Sequence, residues 1–102
     1  MCMTADDARA VFLAFEGAYE SSHQGHPDFR IAKGIFATLW PDKVTSVLRL
    51  PKELAESEAA RLPDVFRIVG GSGGMGWLSV TLDGIEETEF QPLAEIAWEV
   101  RR

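Results

Sequence analysis

Apolar residues recur at helical spacing in three segments of the chain and follow a two-residue period in five others. The spacing predicts helices over 4–20, 52–61 and 86–101, with Thr4 as the N-cap of the first. The strand-like segments are 29–33, 35–40, 44–50, 65–69 and 77–82. Residues 21–27 are interpreted as a polar loop, and the glycine-rich stretch 70–76 as a flexible hairpin connection. The predicted order is therefore α-β-β-β-α-β-β-α.

This order predicts an α+β fold of two layers, in which three helices cover one face of a single five-stranded antiparallel sheet. The chain has 102 residues, which is the usual size of one domain, so 1–102 is expected to fold as a unit. The hydrophobic fraction of 46% and the charged fraction of 25% are typical of a globular core rather than of a disordered chain.

The alternation within each strand separates an apolar parity from a parity that carries arginines, hydroxyls and one indole. The apolar parity should lie under the helices, and the other should form a partly open face. The residues predicted on that open face are Arg30, Thr45, Arg49, Arg67, Trp77, Ser79 and Thr81. Strand 35–40 is apolar at both parities, and the open face is markedly aromatic if Phe36, Thr38 and Trp40 belong to it.

An open face that carries tryptophan and arginine is compatible with two specific functions. Aromatic rings can stack on bases while guanidinium groups hold phosphates, and the same residue types are enriched in protein interfaces. The simpler alternative is that loops or the aliphatic stems of arginines cover the tryptophan.

The net charge is −6, and it is unevenly distributed along the chain. Residues 28–52 carry +3, residues 1–27 carry −3 and residues 53–102 carry −6. The global charge opposes binding to a polyanion, but the middle of the chain can form a locally basic surface.

Two spacings resemble known binding motifs and are rejected on context. Gly71-x-Gly73-x-x-Gly76 has the glycine spacing of a dinucleotide-binding motif. That motif needs a helix after the glycines, whereas a predicted strand follows them here. His23-x-x-His26 offers two metal ligands, whereas a zinc site needs three or four. No spacing pairs a nucleophile with a base, so we expect no enzyme activity, no cofactor and no metal.

The single cysteine, Cys2, is interpreted as an exposed thiol near the terminus, and it cannot form an internal disulfide. The first residues lack the features of a signal peptide, and no apolar run is long enough to span a membrane. We therefore expect a cytoplasmic protein without a membrane partner.

The segments His26-Pro27-Asp28-Phe29-Arg30-Ile31, 33–39 and 76–82, followed by a glutamate-led final helix, resemble the MmcQ/YjbR family. The resemblance covers nearly the whole chain and implies a fold like that of the type III secretion chaperones. It also implies DNA binding by a double-wing arrangement, with wings at about 29–49 and 65–82. Members often carry a basic residue before the tryptophan of the fifth strand, where this chain has Gly76, and 70–76 contains no lysine or arginine.

The first functional hypothesis is a DNA-binding domain without enzyme activity. Its predicted contact residues are Arg30, Lys33, Lys43, Arg49 and Arg67 for phosphates and Trp77 for stacking. The second hypothesis is a domain that binds a protein or a small molecule, or that associates with itself through the open face. Salt dependence separates the two, since phosphate contacts weaken steeply with salt.

Overall fold

The computed structural model describes residues 3–32 and 34–102. Lys33 and Cys2, named above, lie outside these residues. The helices are α1 (Ala5–Leu13), α2 (Lys52–Arg61) and α3 (Glu87–Arg101), and a 3₁₀ turn spans Leu82–Gly84. The strands are β1 (Tyr19–His23), β2 (His26–Ile31), β3 (Gly34–Leu39), β4 (Thr45–Pro51), β5 (Phe66–Ser72) and β6 (Met75–Thr81).

The strands form one antiparallel sheet in the order β1-β2-β3-β4-β6-β5. All three helices pack on the same face, as predicted. Phe12 of α1 contacts Phe29, Phe36 and Phe90, and Ala55 of α2 lies against Gly76 of β6. The two-layer α+β prediction is thus confirmed, with a sheet of six strands in place of the predicted five.

The additional strand is β1, which lies where the sequence predicted the end of a helix and a polar loop. Helix α1 ends at Leu13, and Gly17 then adopts φ +78°, a left-handed conformation that reverses the chain at little cost for glycine. Gln24 and Gly25 both have positive φ, so they form a two-residue turn that pairs His23 with His26. Strand β1 is a polar edge strand, and hydrophobic periodicity cannot detect it.

The predicted glycine-rich connection is shorter than expected. Pairing continues to Ser72 and Met75, so the loop between β5 and β6 is only Gly73 and Gly74, both with positive φ. Gly71 could not be replaced without strain, because a Cβ there would collide with the main chain of Met75.

A β-bulge in β3 resolves the ambiguous parity of that strand. Phe29 pairs with Ala37 and Arg30 pairs with Ile35, so Phe36 is the extra residue. Phe36 and Ala37 both enter the helix-side core, whereas Thr38 remains on the other face. Of the three residues whose side the sequence left open, Thr38 and Trp40 lie on the face away from the helices, and the bulge places Phe36 in the core.

Among residues 3–32 and 34–102, no helix is both long enough and apolar enough to cross a membrane.

Candidate binding face

The sheet face opposite the helices brings together most of the residues predicted there. The register pairs Arg49 with Trp77, Arg67 with Ser79, and Thr45 with Thr81. Residues that pair directly across an antiparallel ladder point to the same side of the sheet. We call this helix-free side the open face, and it carries guanidinium and indole groups on neighbouring strands.

A shallow groove of about 290 Å³ lies on the open face. Val47 and Thr38 are nearly fully buried, at 5% and 8% exposure, and form its floor. Trp40 and Trp77 are half-buried and form its aromatic lining. The remaining lining residues are His23, Ile35 and Val69. The groove is largely apolar, and it leaves part of each indole accessible to a ligand.

A buried carboxylate lies on β2, on the same face as the groove. Asp28 is fully buried and accepts hydrogen bonds from Arg30 Nε at 2.8 Å and Arg30 Nη2 at 3.1 Å. His23 Nδ1 lies 2.6 Å from the second oxygen of Asp28. The hydrogen bond from Arg30 holds the pKa of Asp28 below its usual value despite the opposing effect of burial, and His23 adds to the lowering.

Arg30 and Asp28 form an ion pair, with Nε 2.8 Å from Oδ1, and this contact raises the pKa of the Arg30 guanidinium. The positive charge of Arg30 is therefore largely committed within the protein. The ion pair gives Arg30 a structural role, and its contact with phosphate stays a prediction.

The sequence predicted a loop at His23 and His26. In the structure they occupy paired positions on β1 and β2. Their ring centroids are 4.5 Å apart, and His26 Nδ1 is buried with no hydrogen-bond partner in the described part of the chain. Within that same part, no three His, Cys, Asp or Glu side chains are arranged to hold a metal ion.

The comparisons with known proteins place this geometry in a family. The YjbR family model matches residues 13–100, which is most of the chain. The protein belongs to the YjbR family. No curated protein matches the chain significantly.

A solved structure similar to this YjbR domain is that of Deinococcus radiodurans protein DR2400, described as a DUF419 domain. The TM-score is 0.83 at 18% sequence identity, and the match covers 97% of this chain and 78% of the other. At that identity the likeness shows a shared fold.

The predicted contact residues of the YjbR domain do not all reach one place. Arg49, Arg67 and Trp77 share the open face, and Arg30 joins them as half of an ion pair. Lys43 lies in the β3–β4 turn, where Asp42 accepts hydrogen bonds from Val44 and Thr45. There Lys43 lines a different cavity, which Arg9 of α1 also lines.

Sequence reasoning missed the groove floor and the Asp28 cluster. Alternation places Val47 on the parity of Arg49 and Val69 on that of Arg67, but it gives no reason to expect a groove between them. Asp28 could have been found, because it shares parity with Arg30 once β2 begins at His26 and not at Phe29.

Proposed function

We propose that this YjbR domain binds single-stranded nucleic acid on its open face, with a base in the groove and flanking phosphates on arginines. The observation that carries the proposal is the groove itself. Two partly accessible tryptophans line one apolar depression on a face without helices, and Arg49 and Arg67 lie on the adjoining strand positions.

Stacking supplies the first part of the interaction. An unpaired base can lie against Trp77 or Trp40 over the floor made by Val47 and Thr38. Stacking of a base on an aromatic side chain contributes about 1–3 kcal/mol and tolerates any sequence. Bases within a duplex are already stacked and cannot enter such a groove, so the geometry favours single strands.

Arg49 and Arg67 supply the phosphate contacts. Neither forms an ion pair with a carboxylate among the described residues, in contrast to Arg30. Two neutralised phosphates on a single strand correspond to a log–log salt slope of about −1.4. Affinity should therefore fall about sevenfold between ~50 and ~200 mM salt.

The double-wing arrangement implied by the resemblance receives less support. The tip between β5 and β6 consists of Gly73 and Gly74, and no residue from 70 to 76 carries a charge. A hairpin that grips duplex phosphates needs positive charge at its tip. This is a second reason to favour single strands over duplex DNA.

Fluorescence anisotropy of labelled single-stranded and duplex oligonucleotides, measured from ~50 to ~200 mM salt, tests the proposal. Trp77→Ala should weaken single-strand binding roughly tenfold or more, because the stacking surface is lost. Arg67→Gln should weaken binding and flatten the salt slope.

The matched control for Arg67→Gln is Arg102→Gln. Arg102 is bonded to Glu99 and lies over the Trp98 ring, on the helix side of the molecule. Arg102→Gln removes the same charge as Arg67→Gln but away from the open face. It should therefore leave binding nearly unchanged. Equal losses in the two variants, or no binding by the parent protein at low salt, would refute the proposal.

A second candidate function, association of the domain with itself, is favoured by the exposure of β5. This edge strand is exposed from Arg67 through Ser72, and Ile68 and Val69 are each 40% exposed. An uncovered edge offers free N–H and C=O groups to another strand.

Sedimentation analysis of the parent and of Val69→Lys measures this association. A dimer that persists at high salt and dissociates in Val69→Lys would support it, since a charged side chain disfavours edge pairing. A monomer at all concentrations would exclude it. In neither case does the result depend on nucleic acid.

A further inference from the structure

A second groove, of about 470 Å³, lies in the helix layer between α1 and α3. Its floor consists of the apolar residues Val11, Ala14, Phe15 and Trp98. We call this depression the helix groove. It shares no lining residue with the groove on the open face, so the two can be tested separately.

The floor of the helix groove is held in place by two contacts that join the end of α1 to α3. The rings of Phe15 and Trp98 are stacked, with centroids 5.4 Å apart and planes inclined by 16°. Trp98 Nε1 donates a hydrogen bond to the main-chain oxygen of Glu16 at 3.0 Å. A partner that docks here meets a surface that is already ordered, which lowers the entropic cost of binding.

The rim of the helix groove is acidic. Four of its lining residues are carboxylates and none is lysine or arginine: Asp7, Glu16, Glu87 and Glu95. Among the described residues, none of these four carboxylates contacts a cationic side chain. Carboxylates elsewhere in the domain, such as Glu58 and Glu99, each contact an arginine. The helix groove therefore combines an apolar floor with negative charge that the described chain does not neutralise.

This charge distribution selects the chemistry of a partner. Nucleic acids and anionic lipid surfaces carry the same sign of charge as the rim and are repelled by it. A segment with positive charge around an apolar centre matches both the rim and the floor, because complementary potentials steer association and fix orientation.

We propose that the helix groove docks a basic amphipathic helix of a partner protein. Such a helix places apolar side chains at i, i+3, i+4 and i+7 on one face, which enters a groove between helices. Lysine or arginine beside that face would contact the four carboxylates of the rim. The volume of the helix groove falls within the range of ~300–1,000 Å³ that is usual for ligand pockets, so it has room for more than one apolar side chain.

A synthetic helical peptide with leucine at i, i+3, i+4 and i+7 and lysine at the remaining positions is the probe. One control peptide has glutamate in place of lysine, and the other has the same composition in scrambled order. The domain has three tryptophans, of which only Trp98 lines the helix groove, whereas Trp40 and Trp77 line the open face. The indole Nε1–H signals in ¹H–¹⁵N spectra therefore report where a peptide binds.

We expect the lysine peptide to shift the Trp98 indole signal saturably while the signals of Trp40 and Trp77 stay in place. Both control peptides should bind much more weakly. Shifts confined to Trp40 or Trp77 would overturn the proposal, and so would equal binding of the scrambled or the glutamate peptide, because the first removes the apolar face and the second the positive charge.

Two variants test the floor and the rim. Ala14 is exposed, so Ala14→Leu fills the floor without a change of charge and should abolish peptide binding. Glu87→Gln should weaken it about two- to fivefold, as expected for one exposed ion pair. Its matched control is Glu53→Gln, because Glu87 and Glu53 each lie in the first turn of a helix and only Glu87 lines the helix groove. Equal losses in these two variants, or full binding by Ala14→Leu, would refute the site.

Sedimentation of the domain without peptide distinguishes a partner protein from a second copy of this chain. Equal sedimentation of the parent and Ala14→Leu shows that no second copy occupies the helix groove, as the proposal requires. A dimer of the parent that dissociates in Ala14→Leu would place a second copy there and overturn the proposal. Neither result depends on whether the open face binds nucleic acid.

Discussion

At the scale of single residues, Asp28 shows how a charge is kept inside a small domain. Its carboxylate is fully buried, yet it accepts two hydrogen bonds from Arg30 and lies within hydrogen-bond distance of His23. Burial of an ionised group is tolerated when partners replace the lost water. The cluster thereby fixes β1 against β2 beside the groove.

Asp28→Asn should destabilise the domain by about 1–3 kcal/mol, because a charged acceptor of several hydrogen bonds is lost. Urea unfolding at neutral pH measures the change. Asp64→Asn is the control, since Asp64 is exposed and has no polar contact within the described chain. An equal effect of the two substitutions would contradict the role given to Asp28.

The contribution of Asp28 to stability should also depend on pH. Its pKa in the folded protein is lower than the ordinary value of 3.8, so the unfolded chain binds the proton more readily. The stabilisation is therefore complete well above pH 3.8 and is lost as the pH falls through the lower folded value. The difference in unfolding free energy between the parent and Asp28→Asn should shrink as the pH falls below that value, and a constant difference would contradict this assignment.

At the scale of elements, the conformation of a glycine determines where the first helix ends, which hydrophobic patterning could not predict. The predicted bounds of the second helix agree with α2, and those of the third differ from α3 by one residue. Capping also behaved as predicted, since Thr4 Oγ1 accepts from the amide of Asp7 at 3.1 Å. The first helix was predicted too long because its apolar spacing continues through Phe15 and Ala18. Only the left-handed Gly17 and the polar pairing of β1 show where the helix must end.

Gly17→Ala should destabilise the domain more than Gly25→Ala. Both glycines have positive φ, which costs an alanine about 1–2 kcal/mol. A Cβ at Gly17 would also lie 2.7 Å from Ile31 Cδ1, whereas a Cβ at Gly25 meets no described atom within 4 Å. The difference between the two unfolding free energies isolates the cost of the packing clash, and equal losses would show that packing at Gly17 does not matter.

At the scale of the whole molecule, the two faces of the sheet divide the chemistry of the chain. Alternation in the strands predicted the face of Arg49, Arg67 and Trp77, because side chains alternate between faces where the ladder is regular, as it is between β4 and β6. It could not predict the groove. The groove depends on the bulge in β3 and on edge strand β1, which are tertiary features.

The net charge of −6 affects any polyanion that approaches the domain. The molecule measures 32 × 31 × 26 Å, and the Debye length at 0.1 M salt is about 10 Å. At that ionic strength, carboxylates on the helix layer are largely screened from a ligand on the open face. Local arginines then outweigh the distant acids, which is the physical basis for measuring nucleic-acid binding from moderate rather than very low salt.

Because of its bulge, β3 contains one residue more than the alternation of its side chains requires. Phe36 and Ala37 both point towards the helices, while Ile35 and Thr38 on either side of them point away. A chain without Ala37 would give the same directions by plain alternation. Loss of one residue at this point would therefore shorten the strand without exchanging a single side chain between the core and the groove.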